Sequence, residues 1–263
     1  MKLFSIFGNP VKHSISPRMH NLALQALKLE GAYIRTLLEE GDALRHTFEA
    51  WNLDGANVTV PHKEAAFKQC DEIRGLAKEI GAINTIVKEK GKLIGYNTDA
   101  PGFMRAIASF GVIDNALILG AGGTAKALAL ALKNNGVTVT VLNRSASRLE
   151  DFKAKGFQTF TWENYQPTHY DLIVNTTSAG LSDALLPLPL ELLNPTLDQT
   201  AFAFDVIYNK PTAFLSLAKE KGLTCKDGAD MLLYQGVLAF NLFYTNTLNE
   251  EKITKAMRQA FTL

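Results

Sequence analysis

Apolar and polar residues alternate along the first hundred residues with two periods, one typical of strands and one typical of helices. The pattern predicts a βαβ-rich unit, with a proline in the first turn of its third helix, where the N–H that proline lacks has no partner anyway. The predicted strands are residues 2–7, 32–38, 55–60, 84–88 and 92–96, and the predicted helices are residues 17–30, residues 42–51 and a segment that begins at Pro61.

A second alternation begins at residue 116. Residues 116–119 are consecutive apolar residues, as expected of a strand buried on both faces of a parallel sheet. A helix at residues 101–110 is predicted to join the two units, so the chain is expected to be an α/β protein. The remaining predictions are strands at 137–142, 172–174 and 202–207, helices ending near Asn134 and spanning 147–155, a connection rich in Pro and Leu before residue 202, and two final helices within 229–260, broken near Asn246.

A glycine-rich loop follows the first strand of the second unit. Gly120, Gly122 and Ala125 match the pattern GxGxxG/A. The first glycine permits a tight turn, the second lets the backbone approach a pyrophosphate, and the small third residue lets the helix pack on the strand. The N–H groups at the helix start also favour phosphate. A plain glycine turn is the alternative, but the strand before the loop and the helix after it favour dinucleotide binding.

The next strand ends in Asn143 and Arg144, with Arg148 four residues after Arg144. An NAD-binding protein usually carries Asp or Glu at this point, for a ribose hydroxyl. Arginine instead suits a phosphate, because its fork donates two parallel hydrogen bonds. The alternative is that both arginines are solvated residues at a helix start. Their position favours a clamp on a 2′-phosphate, and therefore NADP(H) as the cofactor.

Two polar clusters of the first unit have a structural explanation as helix caps. Ser14 and Ser16 precede the first predicted helix, and either serine alone is best explained as its cap. Asp99 follows a strand shortly before Pro101, and an N-cap is its simplest role.

A third cluster contains a lysine that helix stability does not explain. Asn57 and Thr59 lie on one face of a predicted strand, and Lys63 follows in the first helical turn, where the helix dipole disfavours a cation. A nicotinamide-dependent reaction at a carbonyl needs a group that gives or takes a proton as the hydride moves. Lys63 can be that acid or base, a nearby Asp99 can orient it, and neutral amides and hydroxyls suit a polyhydroxylated substrate.

Composition narrows the class of protein. The chain has 263 residues, of which 47% are hydrophobic and 20% charged, and its net charge is +1, which argues against a nucleic-acid partner. No apolar run approaches the ~18 residues of a membrane span, and no signal peptide is predicted. Two distant cysteines, Cys70 and Cys225, and five histidines without a zinc motif predict neither a disulfide framework nor a metal site. We therefore expect a reduced, cytoplasmic protein.

Several short motifs follow one another along essentially the whole chain: residues 8–17 (GNPVKHSISP), 55–63 (GANVTVPHK), 81–85 (GAINT), 95–99 (GYNTD), the loop 120–125, Asn143 and Arg144 with Arg148, 205–208 (DVIY), 227–228 (DG) and 234–236 (YQG). In these motifs and in their order the sequence resembles the shikimate dehydrogenase family.

The resemblance implies NADPH-dependent, reversible reduction of 3-dehydroshikimate to shikimate, in the pathway to chorismate and the aromatic amino acids. It implies a substrate domain at residues 1–101, completed by a C-terminal helix at 237–263, and a Rossmann-type NADP-binding domain at 102–236, with a cleft between them. The expected assembly is a monomer or a homodimer.

The resemblance also implies a role for each site residue. Lys63 is the acid/base and Asp99 is its partner. Substrate contacts fall on this pair and on Ser14, Ser16, Thr59, Asn84, Tyr208 and Gln235. NADP(H) contacts fall on Gly120, Ala121, Gly122, Gly123, Thr124, Ala125, Asn143, Arg144, Arg148, Ile207 and Gly228.

One residue departs from the family pattern, and two other functions stay open. His62 stands where many relatives carry phenylalanine, and an imidazole next to Lys63 is a candidate for altering the pH profile. An NAD-dependent quinate/shikimate dehydrogenase is one alternative, against which Arg144 and Arg148 argue. A non-catalytic NADP-binding regulator is the other, against which the presence of Lys63 and Asp99 argues.

Overall fold

A computed structural model describes residues 1–262, which form two compact units. The first unit comprises Met1–Gly102 and the segment that begins at Leu232, and the second comprises Phe103–Met231. The chain therefore leaves the first unit once and returns to it. Within the described residues, no helix is both long and apolar enough to cross a membrane.

The first unit contains a mixed six-stranded sheet. Its elements in chain order are β1 (Lys2–Gly8), α1 (Ser16–Ala26), β2 (Gly31–Leu37), α2 (Leu44–Ala50), β3 (Gly55–Val58), α3 (Lys63–Gln69), β4 (Glu72–Ile73), α4 (Ala77–Ile80), β5 (Thr85–Glu89), β6 (Lys92–Tyr96) and the start of α5 (Asp99–Ile107). The strand order is β2-β1-β3-β5-β6-β4, and only the β3–β5 and β5–β6 pairs are antiparallel.

The second unit contains a six-stranded sheet in which every pair is parallel. Its order, β12-β11-β10-β7-β8-β9, is that of a doubly wound dinucleotide-binding fold, so the predicted α/β class is confirmed. The elements are β7 (Asn115–Leu119), α6 (Gly123–Asn134), β8 (Thr138–Leu142), α7 (Glu150–Ala154), β9 (Gln158–Phe160), β10 (Tyr170–Asn175), α8 (Leu190–Leu197), β11 (Thr200–Asp205), α9 (Ala213–Glu220) and β12 (Thr224–Lys226).

Two C-terminal helices return the chain to the first unit: α10 (Ala229–Phe243) and α11 (Glu250–Arg258). Phe4 of β1 stacks on Phe243 of α10, with ring centroids 4.7 Å apart, and Met257 of α11 is fully buried in the same apolar cluster. The predicted break near Asn246 is confirmed, since Asn246 takes a left-handed conformation (φ 57°) between the two helices. The end of the chain therefore supplies part of the core around its first strand.

The first predicted helix is shorter than expected. It ends at Ala26, because Lys28 takes a left-handed conformation (φ 53°) and the N–H of Leu29 turns back to the carbonyl of Leu24 at 2.9 Å. This hydrogen bond is typical of a helix end with a left-handed residue, a position that glycine usually occupies and that Lys28 occupies here.

The prediction that Pro61 lies in the first turn of a helix was wrong. β3 ends at Val58, and the N–H of His62 donates to the Thr59 carbonyl at 3.0 Å in a turn that contains Pro61. Lys63 is then the first residue of α3. Pro61 therefore lies in the tight turn before α3, whereas the apolar periodicity had placed it inside the helix.

Six elements lie in stretches for which no element was predicted: β4, α4, β9, α8, α9 and β12. Four of them have two to four residues, too few to show a period. α8 contains Pro195, a residue that usually marks a helix end. The start of α9 could have been predicted from Thr212, a good capping residue, which accepts a hydrogen bond from the N–H of Leu215.

α1 buries a histidine in the core of the first unit. The His20 ring stacks on Tyr33 with centroids 4.1 Å apart, and neither ring nitrogen has a hydrogen-bond partner among the described residues. Burial lowers the pKa of His20 to about 3. The folded protein therefore keeps this ring neutral.

We expect acidification from pH 7 to pH 5 to lower the free energy of unfolding by about 2 kcal/mol through His20. The unfolded ring takes up a proton near pH 6.5, whereas the folded ring stays neutral down to about pH 3. The unfolded state thus binds more protons in this window, and stability falls as the pH falls. Urea unfolding at both pH values should show this loss in the wild type and lack it in His20→Phe, which keeps an aromatic ring.

The matched control is His46→Gln, because His46 is exposed on α2. It should retain the full pH dependence of the wild type. Equal pH dependence in His20→Phe and the wild type would contradict the assignment.

Candidate active site

Lys63 and Asp99 form an ion pair in the first unit. Lys63 Nζ donates to Asp99 Oδ2 at 2.6 Å, and the two side chains are only 12% and 9% exposed. The turn at Pro61 and the start of α3 position the lysine, and the start of α5 positions the aspartate. Because water screens such a pair little, its attraction is far stronger than that of an exposed pair. This contact explains how a lysine is kept at a helix N-terminus.

The expectation that Asp99 caps its helix was wrong. Asn97 does so instead: its Oδ1 accepts hydrogen bonds from the backbone N–H groups of Asp99 and Ala100, at 3.1 and 3.3 Å. The Asp99 carboxylate therefore faces other side chains, and its Oδ1 accepts from Asn84 Nδ2 at 2.8 Å.

Asn84 joins this pair to a glutamine from the end of the chain. Its Nδ2 lies 3.3 Å from Oε1 of Gln235, and its Oδ1 accepts from the N–H of Thr98 at 2.7 Å. Asn84, Asp99 and Gln235 are all buried. Four residues assigned to the reaction and the substrate are thus brought together by hydrogen bonds: Lys63, Asn84, Asp99 and Gln235.

The serine pair forms a separate group in the first unit. Ser14 and Ser16 are buried, and Ser14 Oγ accepts from the N–H of Ser16 at 3.3 Å and donates to Ser16 Oγ at 3.2 Å. Ser16 is the first residue of α1, so Ser14 accepts from a helix-start N–H and the capping explanation is confirmed for Ser14, whereas Ser16 lies within the helix. Thr59, half-buried, lies just after β3 and donates its backbone N–H to the Phe7 carbonyl. The described hydrogen bonds do not link either serine or Thr59 to the Lys63 group.

The glycine loop of the second unit has the geometry expected of it. Gly120 has φ +105°, and a Cβ there would lie 2.7 Å from Thr176 Oγ1, so the tight turn requires glycine. At Gly122 a Cβ would meet nothing within 4 Å, which leaves open space beside the backbone. Ala125 is fully buried. The residue before α6 is Gly122, which has no side chain that could cap the helix. Ala121, Gly123 and Thr124 complete the loop.

The arginines that follow β8 are both exposed. Asn143 is fixed by a hydrogen bond from its Nδ2 to the Ser145 carbonyl at 2.9 Å. No ion pair within residues 1–262 involves Arg144 or Arg148. Two cations without a carboxylate partner therefore stand beside the end of this strand.

A buried carboxylate, Asp205, organises the loop after β11. Its Oδ1 accepts from the N–H of Ile207 at 3.0 Å and its Oδ2 from the Thr212 hydroxyl at 2.7 Å. Burial raises the pKa of Asp205 above its usual value. Gly228 donates its N–H to the Ile207 carbonyl at 3.0 Å, and a Cβ at this glycine would overlap the Val206 carbonyl. Ile207 is buried by this arrangement, and the half-buried Tyr208 follows it.

Comparison with known proteins identifies the family. The model of the shikimate dehydrogenase substrate binding domain matches residues 6–86. A shikimate dehydrogenase (NADP(+)) from Helicobacter hepaticus is 47% identical over 94% of this chain and 92% of its own length. One from Helicobacter pylori is 44% identical over 99% of both chains. The chain belongs to the shikimate dehydrogenase family.

A solved structure of the family has the same fold over the whole chain. Shikimate 5-dehydrogenase from Thermus thermophilus, in complex with NADP(H) and shikimate, is 37% identical, with a TM-score of 0.85 over 99% of this chain and 100% of that one. The family and the fold read from the sequence motifs are therefore both confirmed.

The histidine that departs from the family pattern is held away from solvent. His62 is buried, and its Nε2 lies 2.6 Å from the Leu38 carbonyl oxygen. A carbonyl only accepts hydrogen bonds, so Nε2 carries the proton. The imidazole is thus engaged by the backbone, which is a structural role.

The sequence did not predict that Asn57 and Tyr33 hold Asn84 in place through hydrogen bonds. Asn57 Nδ2 donates to the Asn84 carbonyl and to Thr85 Oγ1, both at 3.1 Å, and its Oδ1 accepts from the Tyr33 hydroxyl at 2.7 Å. Burial raises the pKa of Tyr33 well above its usual value, so the phenol stays a donor. A polar Asn57 in a strand with buried neighbours was the signal, but its partners lie on other strands.

Proposed function

We propose that this protein catalyses the NADPH-dependent, reversible reduction of 3-dehydroshikimate to shikimate, in the pathway to chorismate and the aromatic amino acids. The observation that carries the proposal is the nearly buried Lys63–Asp99 ion pair, on the two residues to which the family pattern assigns proton transfer. Full-length similarity to shikimate dehydrogenases (NADP(+)) supports the same reaction.

The proton chemistry belongs to Lys63. In the reduction its ammonium group gives a proton to the carbonyl oxygen as that oxygen becomes a hydroxyl, and in the oxidation the amine takes the proton back. Asp99 holds Nζ at 2.6 Å and Asn84 holds the Asp99 carboxylate, so the proton donor is fixed before the substrate arrives. NADP(H), when bound, supplies or accepts the hydride.

The remaining polar residues of the first unit bind the substrate in this proposal. Ser14 and Ser16 hold its carboxylate, and Thr59, Asn84 and Gln235 bind ring hydroxyls. Paired hydroxyls and amides suit a ligand with many neutral oxygen groups.

The second unit fits NADP(H). The open space at Gly122, at the start of α6, suits a pyrophosphate, and the exposed Arg144 and Arg148, without carboxylate partners among the described residues, suit a 2′-phosphate. In the proposal the whole loop from Gly120 to Ala125 contacts the cofactor, together with Asn143, Ile207 and Gly228.

A cytoplasmic location and a monomeric or homodimeric state complete the proposal. Cys70 and Cys225 are both free thiols, as is usual in a reducing compartment. Light scattering coupled to size exclusion measures the assembly directly.

The direct test is the change in absorbance at 340 nm with shikimate or quinate and with NADP or NAD. We expect turnover of shikimate with NADP to exceed the other three combinations. A strong preference for quinate with NAD would contradict the proposal, and dinucleotide binding without turnover would favour a regulator.

Replacing Lys63 by Ala should lower kcat by about 10²- to 10⁴-fold, the usual effect of removing a general acid or base. The KM for shikimate should change little. Lys68→Ala is the matched control, because Lys68 is an exposed lysine on the same helix. Circular dichroism establishes that both variants are folded. A near-normal kcat in Lys63→Ala would falsify the acid/base role.

Replacing Arg144 by Ala should raise the KM for NADP by about tenfold or more, through the loss of charge-assisted hydrogen bonds to the 2′-phosphate. The KM for NAD, which lacks that phosphate, should stay nearly constant and is the internal control. Equal losses for both nucleotides would mean that the 2′-phosphate is bound elsewhere.

A further inference from the structure

Arg35 of β2 holds the segment that contains the serine pair. Its Nε and Nη2 both donate to the carbonyl oxygen of Ser14, at 2.9 and 2.6 Å. The sheet sets this contact, because Arg35 pairs in register with Ile6 of β1 and the Ser14 segment follows β1 along the chain. The guanidinium therefore has a fixed position next to Ser14.

The charge of Arg35 has no acidic partner among the described residues. Arg45 and Arg74, on the same unit, each pair with two carboxylates, whereas no ion pair within residues 1–262 includes Arg35. Its two described hydrogen bonds go to a neutral carbonyl, and a guanidinium has five N–H groups. Arg35 is also exposed. A fixed positive charge thus remains available to an anion.

This charge lies close to the serine hydroxyls. The guanidinium contacts the Ser14 carbonyl, and the two serine Oγ atoms lie 3.2 Å apart, so the cation is within roughly 7 Å of the Ser14 hydroxyl by ordinary bond geometry. That distance is shorter than the screening length of about 8 Å at physiological ionic strength. An anion bound by the hydroxyls would therefore feel the charge.

Hydroxyl groups alone discriminate poorly between a carboxylate and its uncharged derivatives. A serine hydroxyl donates to a carboxylate, an ester or an amide oxygen alike. A fixed cation changes this, because it attracts only the ionised group.

We propose that Arg35 is a specificity-determining and positioning residue, which makes the serine pair selective for a carboxylate over a neutral ester or amide. It orients the segment through the Ser14 carbonyl and supplies the positive charge that the serines lack. The inference rests on the proposed function, in which Ser14 and Ser16 hold the substrate carboxylate.

The test compares Arg35→Gln and Arg35→Lys with the wild type in the full chain. Calorimetry gives the Kd for shikimate and for its methyl ester, which has the same ring without the charge. We expect Arg35→Gln to raise the Kd for shikimate by about tenfold and that for the ester by less than about twofold. Arg35→Lys keeps the charge without the fork and should fall between the two.

The split between KM and kcat, and the salt dependence of shikimate binding, distinguish an effect of the Arg35 charge from a purely structural effect. Arg35→Gln should raise the KM for shikimate and leave kcat nearly unchanged, because Arg35 does not touch the Lys63–Asp99 pair in the described hydrogen bonds. Added NaCl should weaken shikimate binding in the wild type more than in Arg35→Gln. The control Lys68→Gln removes an exposed charge elsewhere on the first unit and should leave the Kd for shikimate unchanged.

The outcomes separate this inference from the proposed function. Selective loss of shikimate binding supports it, whereas equal losses for acid and ester, or no loss for either, overturn it. Binding of shikimate without turnover by the wild type would defeat the proposed function, and the Kd comparison would still decide the role of Arg35. Absence of any shikimate binding by the wild type would overturn both.

Discussion

A lysine at the first position of a helix stands where the partial charge of the helix terminus is also positive. Lys63 is nevertheless held there, nearly buried, because the Asp99 carboxylate contacts it at 2.6 Å. A buried charge that loses its partner typically costs 3–5 kcal/mol, so neither residue is stable in this position alone. The pair is therefore a constraint on the fold as much as a pair of reacting groups. Asn84, which donates to the Asp99 carboxylate, helps to keep the two helix starts at this distance.

The supporting structure consists of amides and hydroxyls in a continuous hydrogen-bonded series. Asn97 takes over the capping of α5 and so leaves the Asp99 carboxylate to Asn84 and Lys63. Asn84 is held in turn by Asn57, and Asn57 by Tyr33. Each of these groups is neutral and buried, and each has a partner, so the network adds rigidity without adding charge. A proton donor whose position is fixed in advance loses little freedom when the substrate binds.

The sequence predicted the structure correctly where the residues of a single segment determine its conformation. The glycine loop is such a case, because Gly120, Gly122 and Ala125 act through their own backbone and size. Lys63 could be singled out because its conflict with the helix dipole is visible in the sequence. The cap on α5 could not be assigned correctly, since Asn97 and Asp99 are both good capping residues and only the burial of Lys63 decides between them. Likewise, nothing local indicates that His62 meets the Leu38 carbonyl or that Tyr33 meets Asn57. Those contacts depend on strand order, which periodicity does not determine.

Because the chain returns to its first unit, the two units can complete their cores at different times during synthesis on the ribosome. Phe4 of the first strand stacks on Phe243, and Met257 lies in the same cluster, so that core lacks part of its lining until residues 243 to 257 have left the exit tunnel. Residues 103–231 are contiguous and meet no such delay. The apolar side of β1 therefore stays incompletely covered while residues 103–231 are synthesised, whereas that segment contains all the residues of its own unit.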